Sequence, residues 1–397
     1  MPLPKPHIEQ DSFFHKTTPS TSSWPTTIYL ITGNPGLISY YHTFLSLLGD
    51  KLSSTLSSES VHIIGHSLAG FELESASASE SGVRSDSTKD ENGNGKQEGE
   101  HYYDVEEQIR FVQERLEGHM RDLRESATVT TATATATAEG GFAGRPRVIL
   151  IGHSVGSYIA MEVLRRHRES RAHASGSDQQ QANDTITLDD SFDITGSILL
   201  FPTVMDIAKS PSGQKLTFLL ALIPNLALVI SFFAKILTTL LPDSVLRAVI
   251  GFVMKSPPAD ALDATFAFLT SRRGVRQALH MATDEMRIIT TDKWSDDIWG
   301  VSSESSNSSS DSQNLEGQMS PPPPAQLYFY FGRNDHWVAE RTKEEIVAAR
   351  GGSGKSDVVG RGPRMVVCEE SVPHAFCLRH NEVMAGKVAE MVRDILN

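Results

Sequence analysis

Short apolar runs alternate with amphipathic stretches along most of this chain. Apolar residues recur every three or four positions across residues 103–124, and this spacing predicts a helix that packs one face on a sheet. Apolar runs of four or five residues predict strands. The predicted strands cover residues 28–32, 61–64, 148–151, 197–201, 327–331 and 364–368, and the predicted helices cover residues 39–52, 103–124, 157–166, 339–349 and 381–395.

This alternation of strand and helix is typical of a parallel sheet with helices on both faces. We therefore expect an α/β fold with a mostly parallel, doubly wound sheet, formed by one domain over residues 28–397. Stretches rich in polar and small residues cannot bury enough apolar surface to fold. They predict a disordered N-terminal arm at residues 1–27 and disordered insertions at residues 75–100, 128–144, 170–190 and 301–324.

An unusually apolar region separates the strands at residues 197–201 and 327–331. We expect residues 205–300 to form an inserted helical cap. Its most apolar segment runs from Leu216 to Leu241 and is interrupted by Pro224, so each piece is shorter than the roughly 20 residues that a bilayer span needs. Two interpretations stay open: a lid packed on the body of the protein, or a helix pair that enters a lipid surface from one side.

The run Gly152-His153-Ser154-Val155-Gly156 lies between a predicted strand and a predicted helix. A nucleophilic serine on such a strand–turn–helix needs small neighbours two residues away on each side, and both are glycine. Ser154 is therefore the candidate nucleophile. A similar run around Ser67 has Ala69 in place of the second glycine and no helix pattern after it, so we expect Ser67 to be structural.

In a hydrolase sheet of this kind, the acid follows a late strand and the histidine follows the last one. Asp335 follows the strand at residues 327–331, and His374 follows the strand at residues 364–368. We therefore expect Asp335 to orient His374, which removes the proton of the serine hydroxyl. Asp206, after the strand at residues 197–201, is the alternative acid.

The oxyanion hole of this chemistry uses two backbone N–H groups. One follows the nucleophile and belongs to Val155. The loop Gly33-Asn34-Pro35-Gly36 follows the first predicted core strand and offers the second, from Asn34, because Pro35 has no N–H. The alternative is an ordinary turn.

Composition and short motifs limit the classes of partner and cofactor that we expect for this chain. The net charge of −13 argues against nucleic acid. The chain has no HExxH, paired CxxC or GxxxxGK[ST] motif, so we expect no metal and no cofactor. Two cysteines and a polar N-terminus without a signal-peptide pattern indicate an intracellular protein that is not secreted.

Four segments together resemble the lipid droplet-associated serine hydrolase family, within the α/β-hydrolase superfamily. They are ITGNPG at residues 31–36, GHSVGSY at residues 152–158, LFPT at residues 200–203 and PHAF at residues 373–376. The resemblance implies an α/β-hydrolase fold, with Ser154, Asp335 and His374 as the triad. It also implies attachment to lipid droplets and the endoplasmic reticulum through the apolar cap, and neutral lipid esters, above all sterol esters and also acylglycerols, as substrates.

Three functions remain open at this point. The first is a lipid-ester hydrolase at the surface of lipid droplets, which the complete triad favours. The second is a droplet-binding or tethering protein that retains the fold with little turnover. The third is a soluble carboxylesterase whose apolar insertion is only a lid.

Overall fold

The computed structural model describes residues 5–17, 24–56, 59–73, 101–133, 144–176, 192–301, 323–351 and 362–397. Within these ranges, eight strands form one sheet in the order β1-β2-β4-β3-β5-β6-β7-β8, in which β3 to β8 are parallel and β1 and β2 are antiparallel. The strands are β1 His7–Ile8, β2 Ser12–Lys16, β3 Thr26–Ile31, β4 Val61–His66, β5 Arg147–His153, β6 Asp193–Leu200, β7 Gln326–Phe331 and β8 Arg364–Val367.

Helices cover both faces of this sheet, because the central strands are apolar on both sides. The helices are α1 His42–Thr55, α2 Val105–Thr133, α3 Val155–Gly176, α4 Pro211–Leu222, α5 Leu226–Leu240, α6 Asp243–Val253, α7 Ala259–Thr270, α8 Gly274–Ile288, α9 Glu340–Arg350 and α10 Asn381–Leu396. Helices α1 and α10 contribute to one buried apolar cluster, and α2, α3 and α9 contribute to the other. The prediction of a doubly wound α/β-hydrolase fold is confirmed.

The predicted disordered arm, residues 1–27, is wrong for residues 7–16. Strand β2 pairs with β4, so that Phe13 lies opposite Gly65 and is fully buried. His15 points to the same face and is 1% exposed, because it packs against Gly49 of α1. Phe13 and His15 are buried, whereas Ser12, Phe14 and Lys16 are more exposed, as expected for a strand with one face against the core.

Two of the predicted insertions begin later than expected. Helix α2 continues to Thr133 and α3 continues to Gly176, so both helices extend into residues predicted to belong to insertions. The predicted insertion at residues 75–100 and most of the other three lie outside the described residues.

Helices α4 to α8 occupy the position of the predicted cap, between β6 and β7. Fifteen of the eighteen exposed large hydrophobic side chains among the described residues lie on α4, α5 and α6. We call them the apolar cap surface. They are Phe218, Leu219, Leu222, Leu228, Val229, Ile230, Phe232, Phe233, Ile236, Leu237, Leu240, Val245, Val249, Phe252 and Val253.

The two most apolar cap helices are bent sharply against each other. None of the described helices is by itself long and apolar enough to cross a membrane, whereas α4 and α5 together meet that test of length and composition across a bend of 94°. One side of each helix packs on the rest of the cap, where Gly213 and Leu226 are buried, while most of their large apolar side chains are exposed. Of the two interpretations from the sequence, this exposure favours contact with a lipid surface over a packed lid.

Candidate active site

Strand β5 ends at His153 and α3 begins at Val155, so Ser154 occupies the turn between them. Its backbone is left-handed, with a φ of 56°, which is rare for a residue with a side chain. A Cβ atom on Gly152 would lie 2.5 Å from the carbonyl oxygen of Gly156, and one on Gly156 would lie 2.4 Å from that of Ile31. Both positions therefore require glycine, which lets strand and helix approach closely enough to form the turn.

Three side chains from separate loops form a hydrogen-bonded chain at the carboxyl ends of the strands. The Nε2 atom of His374 lies 2.9 Å from the Oγ atom of Ser154, and its Nδ1 atom lies 2.7 Å from Oδ2 of Asp335. The side chains of His374 and Asp335 are 9% and 2% exposed. The second oxygen of Asp335 accepts the backbone N–H of Trp337, which holds the carboxylate in place. The predicted acid, base and nucleophile are thus brought together.

The two alternative residues lie elsewhere. Asp206 begins a short 3-10 helix and pairs with Lys209 at 2.9 Å. Ser67 is 2% exposed and donates its hydroxyl proton to Asp11, while its oxygen accepts the backbone N–H of Ile38. Ser67 therefore ties the N-terminal strands to the loop after β3, which is a structural role.

The loop after β3 lies directly against the candidate nucleophile. A Cβ atom on Gly33 would lie 3.1 Å from Cβ of Ser154, so this glycine is needed for close approach. The next residue, Asn34, and Val155 at the first turn of α3 are the two predicted oxyanion donors.

The cap holds this loop through a polar side chain that sequence reasoning missed. The Asn34 amide donates to Oε1 of Glu285 at 2.8 Å and to the carbonyl oxygen of Ala278 at 2.9 Å, and both acceptors belong to α8. Glu285 is 4% exposed. Burial, with a smaller contribution from neighbouring Asp284, raises the pKa of Glu285 to about 8. An acidic residue inside an amphipathic helix gives no sequence signal for such a contact.

The described residues contain no group of three or more His, Cys, Asp or Glu side chains that could hold a metal ion. The arrangement of Ser154, His374 and Asp335 can generate a nucleophilic alkoxide from these side chains themselves.

The sequence matches one protein family and individual proteins of the same description. The family described as lipid-droplet associated hydrolase matches residues 25–377. A lipid droplet-associated hydrolase of Gallus gallus is 26% identical over 253 residues, which cover 63% of this chain and 60% of that protein, less than two thirds of its length. The Homo sapiens protein of the same name is 22% identical over 374 residues, which cover 93% of this chain and 85% of its own.

Two solved structures have a low similarity to this chain over nearly its whole length. A meta-cleavage product hydrolase from Pseudomonas fluorescens has a TM-score of 0.45 at 11% identity and covers 99% of this chain and 98% of its own. A thermophilic esterase from Thermogutta terrifontis has a TM-score of 0.44 at 12% identity and covers 97% of this chain and 93% of its own.

Proposed function

This chain belongs to the lipid-droplet associated hydrolase family, and we propose that it is a serine esterase that cleaves neutral lipid esters at a lipid surface. The hydrogen-bonded chain from Ser154 through His374 to Asp335 is the observation that carries this proposal. Sterol esters are the proposed substrates, with acylglycerols as a second class.

The reaction follows from which atoms carry protons. The Asp335 carboxylate accepts the Nδ1–H of His374, which leaves the Nε2 lone pair directed at the hydroxyl of Ser154. His374 takes the hydroxyl proton as the serine oxygen attacks the ester carbonyl carbon. The histidine then gives this proton to the departing alcohol, and an acyl-enzyme forms. In the second half, His374 removes a proton from water, which attacks the carbonyl carbon of the acyl-enzyme. The bond from this carbon to the Ser154 oxygen then breaks, His374 returns the proton to that oxygen, and the acid is released.

The negative charge that develops on the carbonyl oxygen needs donors already in place. We assign this role to the backbone N–H groups of Val155, which follows Ser154, and of Asn34, which follows the glycine packed against Ser154. The first turn of α3 adds the positive end of its helix dipole at the same point. A lost donor of this kind typically costs about 100- to 1,000-fold in rate.

The apolar cap surface supports a lipid as substrate and partner. Fifteen exposed large hydrophobic side chains on three successive helices form a patch that water solvates poorly, and such patches are typical of membrane or partner contact. The segment between Leu216 and Leu241 contributes most of them. We propose that this surface attaches the protein to lipid droplets and the endoplasmic reticulum on the intracellular side.

Labelling with a fluorophosphonate probe tests the nucleophile without knowledge of the substrate. We expect the purified wild type to be labelled, Ser154→Ala to lose labelling entirely, and Ser67→Ala to retain it. Ser67 is the matched control, because it also follows a Gly-His pair at a strand end but bonds Asp11 instead of a histidine. A folded wild type that fails to label would contradict the proposal and favour a droplet-binding protein without turnover.

The lipid class is tested on emulsions. We expect the wild type to hydrolyse cholesteryl oleate dispersed with phosphatidylcholine and Ser154→Ala to lose this activity. Triolein in the same dispersion and the water-soluble p-nitrophenyl butyrate are the comparison substrates. Activity confined to p-nitrophenyl butyrate, together with no binding to the emulsion, would instead indicate a soluble carboxylesterase.

A further inference from the structure

His153 is a buried histidine beside the nucleophile that the triad does not use. It is 5% exposed and its ring packs edge-on against Tyr41, Phe201 and Phe376, at centroid distances of 5.7, 6.0 and 5.1 Å. Each of its ring nitrogens nevertheless has a polar partner. Nδ1 lies 2.6 Å from the hydroxyl of Tyr41, and Nε2 lies 2.9 Å from the carbonyl oxygen of His374.

The direction of each hydrogen bond follows from the chemistry of the partners. The carbonyl oxygen of His374 can only accept, so Nε2 of His153 carries the proton. Burial, with repulsion from His374 as a smaller cause, lowers the pKa of His153 to about 3, so Nδ1 is bare and accepts. Tyr41 therefore donates its hydroxyl proton to His153, and its oxygen accepts the backbone N–H of Gly33 at 3.2 Å.

The hydrogen bonds of Tyr41 and His153 connect the loop after β3 with the loop that carries His374. The distance between these two loops affects the rate of the proposed reaction. One end holds Gly33, whose peptide precedes the proposed oxyanion donor Asn34. The other end holds the backbone of His374, the proposed base. We propose that Tyr41 and His153 are positioning residues that set the distance between the oxyanion site and the catalytic histidine, an inference that rests on the proposed serine esterase.

Two physical features suit His153 to this role. Its ring lies 5.2 Å from that of His374, so a neutral ring avoids repelling the imidazolium that forms during attack on the ester. The aromatic side chains around it exclude water, which would otherwise compete for the hydrogen bonds. Displacement of a reacting group by about 1 Å can cost on the order of 100-fold in rate, so a small shift of either loop is sufficient to matter.

Tyr41→Phe tests the proposal because it removes only the hydroxyl and leaves the ring that packs against Phe376. Tyr29→Phe is the matched control. Tyr29 is 2% exposed and also contacts a histidine nitrogen, at 3.4 Å, but its partner is His66, which precedes Ser67 and not the nucleophile. Both variants lose one buried hydroxyl that contacts a histidine, so both are expected to lower the melting temperature by a few degrees.

The readouts are kcat and KM for p-nitrophenyl butyrate and the rate of fluorophosphonate labelling. For Tyr41→Phe we expect kcat and the labelling rate to fall roughly 10- to 100-fold with KM unchanged, whereas Tyr29→Phe keeps wild-type values. The proposal is overturned if both variants are less stable but equally active, because that result indicates a purely structural hydroxyl. A wild type that does not label at all overturns the proposed esterase itself, and this inference with it.

Discussion

Replacing both Phe232 and Phe233 with serine tests whether the apolar cap surface binds lipid. The two side chains are 62% and 63% exposed. An aromatic side chain has roughly 200 Å² of surface, so the pair presents roughly 250 Å² to solvent. At about 25 cal/mol per Å², complete transfer of this area into hydrocarbon contributes about 6 kcal/mol.

The measured loss will be smaller than this upper bound. A helix that lies in the interface immerses mainly its outward face, so we expect about half of the area to leave water. The resulting ~3 kcal/mol corresponds to a decrease in the lipid–water partition coefficient on the order of 100-fold. The free energy of unfolding should change little, because both side chains are already exposed in the folded protein.

Flotation of the full-length protein with triolein droplets coated in phosphatidylcholine measures the partition coefficient. Ile8→Ser combined with Val383→Ser is the control, since these side chains are 47% and 42% exposed but lie outside the cap. Hydrolysis of p-nitrophenyl butyrate should stay at the wild-type rate in both double variants. If the phenylalanine variant floats as well as the wild type, the cap surface does not bind lipid by this mechanism.

Two further predictions concern pH. Burial lowers the pKa values of His42, His62 and His66 from 6.5 to about 4, so the unfolded chain binds protons first and stability should fall as the pH drops from about 6.5 towards 4. In denaturant titrations, His62→Phe should remove up to about 1.4 kcal/mol per pH unit of that slope between pH 5 and 6, and an unchanged slope would contradict this account. Glu285 should lose its proton near pH 8 and place a negative charge beside Asn34 and the developing oxyanion, so kcat/KM should fall above that pH. Glu285→Gln, which still accepts the Asn34 hydrogen bond, should abolish this fall in a pH–rate profile, and identical profiles would show that Glu285 has no influence on the site.

Sequence reasoning reached the predicted triad residues because strand ends mark their positions. Parallel strands place their carboxyl ends at one edge, so loops after residues 151, 331 and 368 had to converge there. The turn at Ser154 can be identified in the sequence because close backbone contacts require glycine at both residues 152 and 156.

Other features could not be predicted, because they depend on contacts between distant segments or on whether an apolar helix is buried or exposed. Tyr41, His153 and His374 are separated by 112 and 221 residues, and no local pattern links them. Strand β2 has only five residues, too few for a clear alternation between flanking polar stretches. For the cap, periodicity shows that helices are apolar but does not distinguish a buried apolar helix from an exposed one.

The order of strands in the sheet also bears on how copies of this protein associate. Other chains can extend a sheet by pairing with the free backbone groups of its edge strands. Here the edge strands are β1, with two residues, and β8, with four. Edges this short offer few free backbone groups, so the sheet is a poor template for aggregation. When lipid is absent, we therefore expect self-association to begin at the cap helices, and we expect detergent that covers these helices to prevent it.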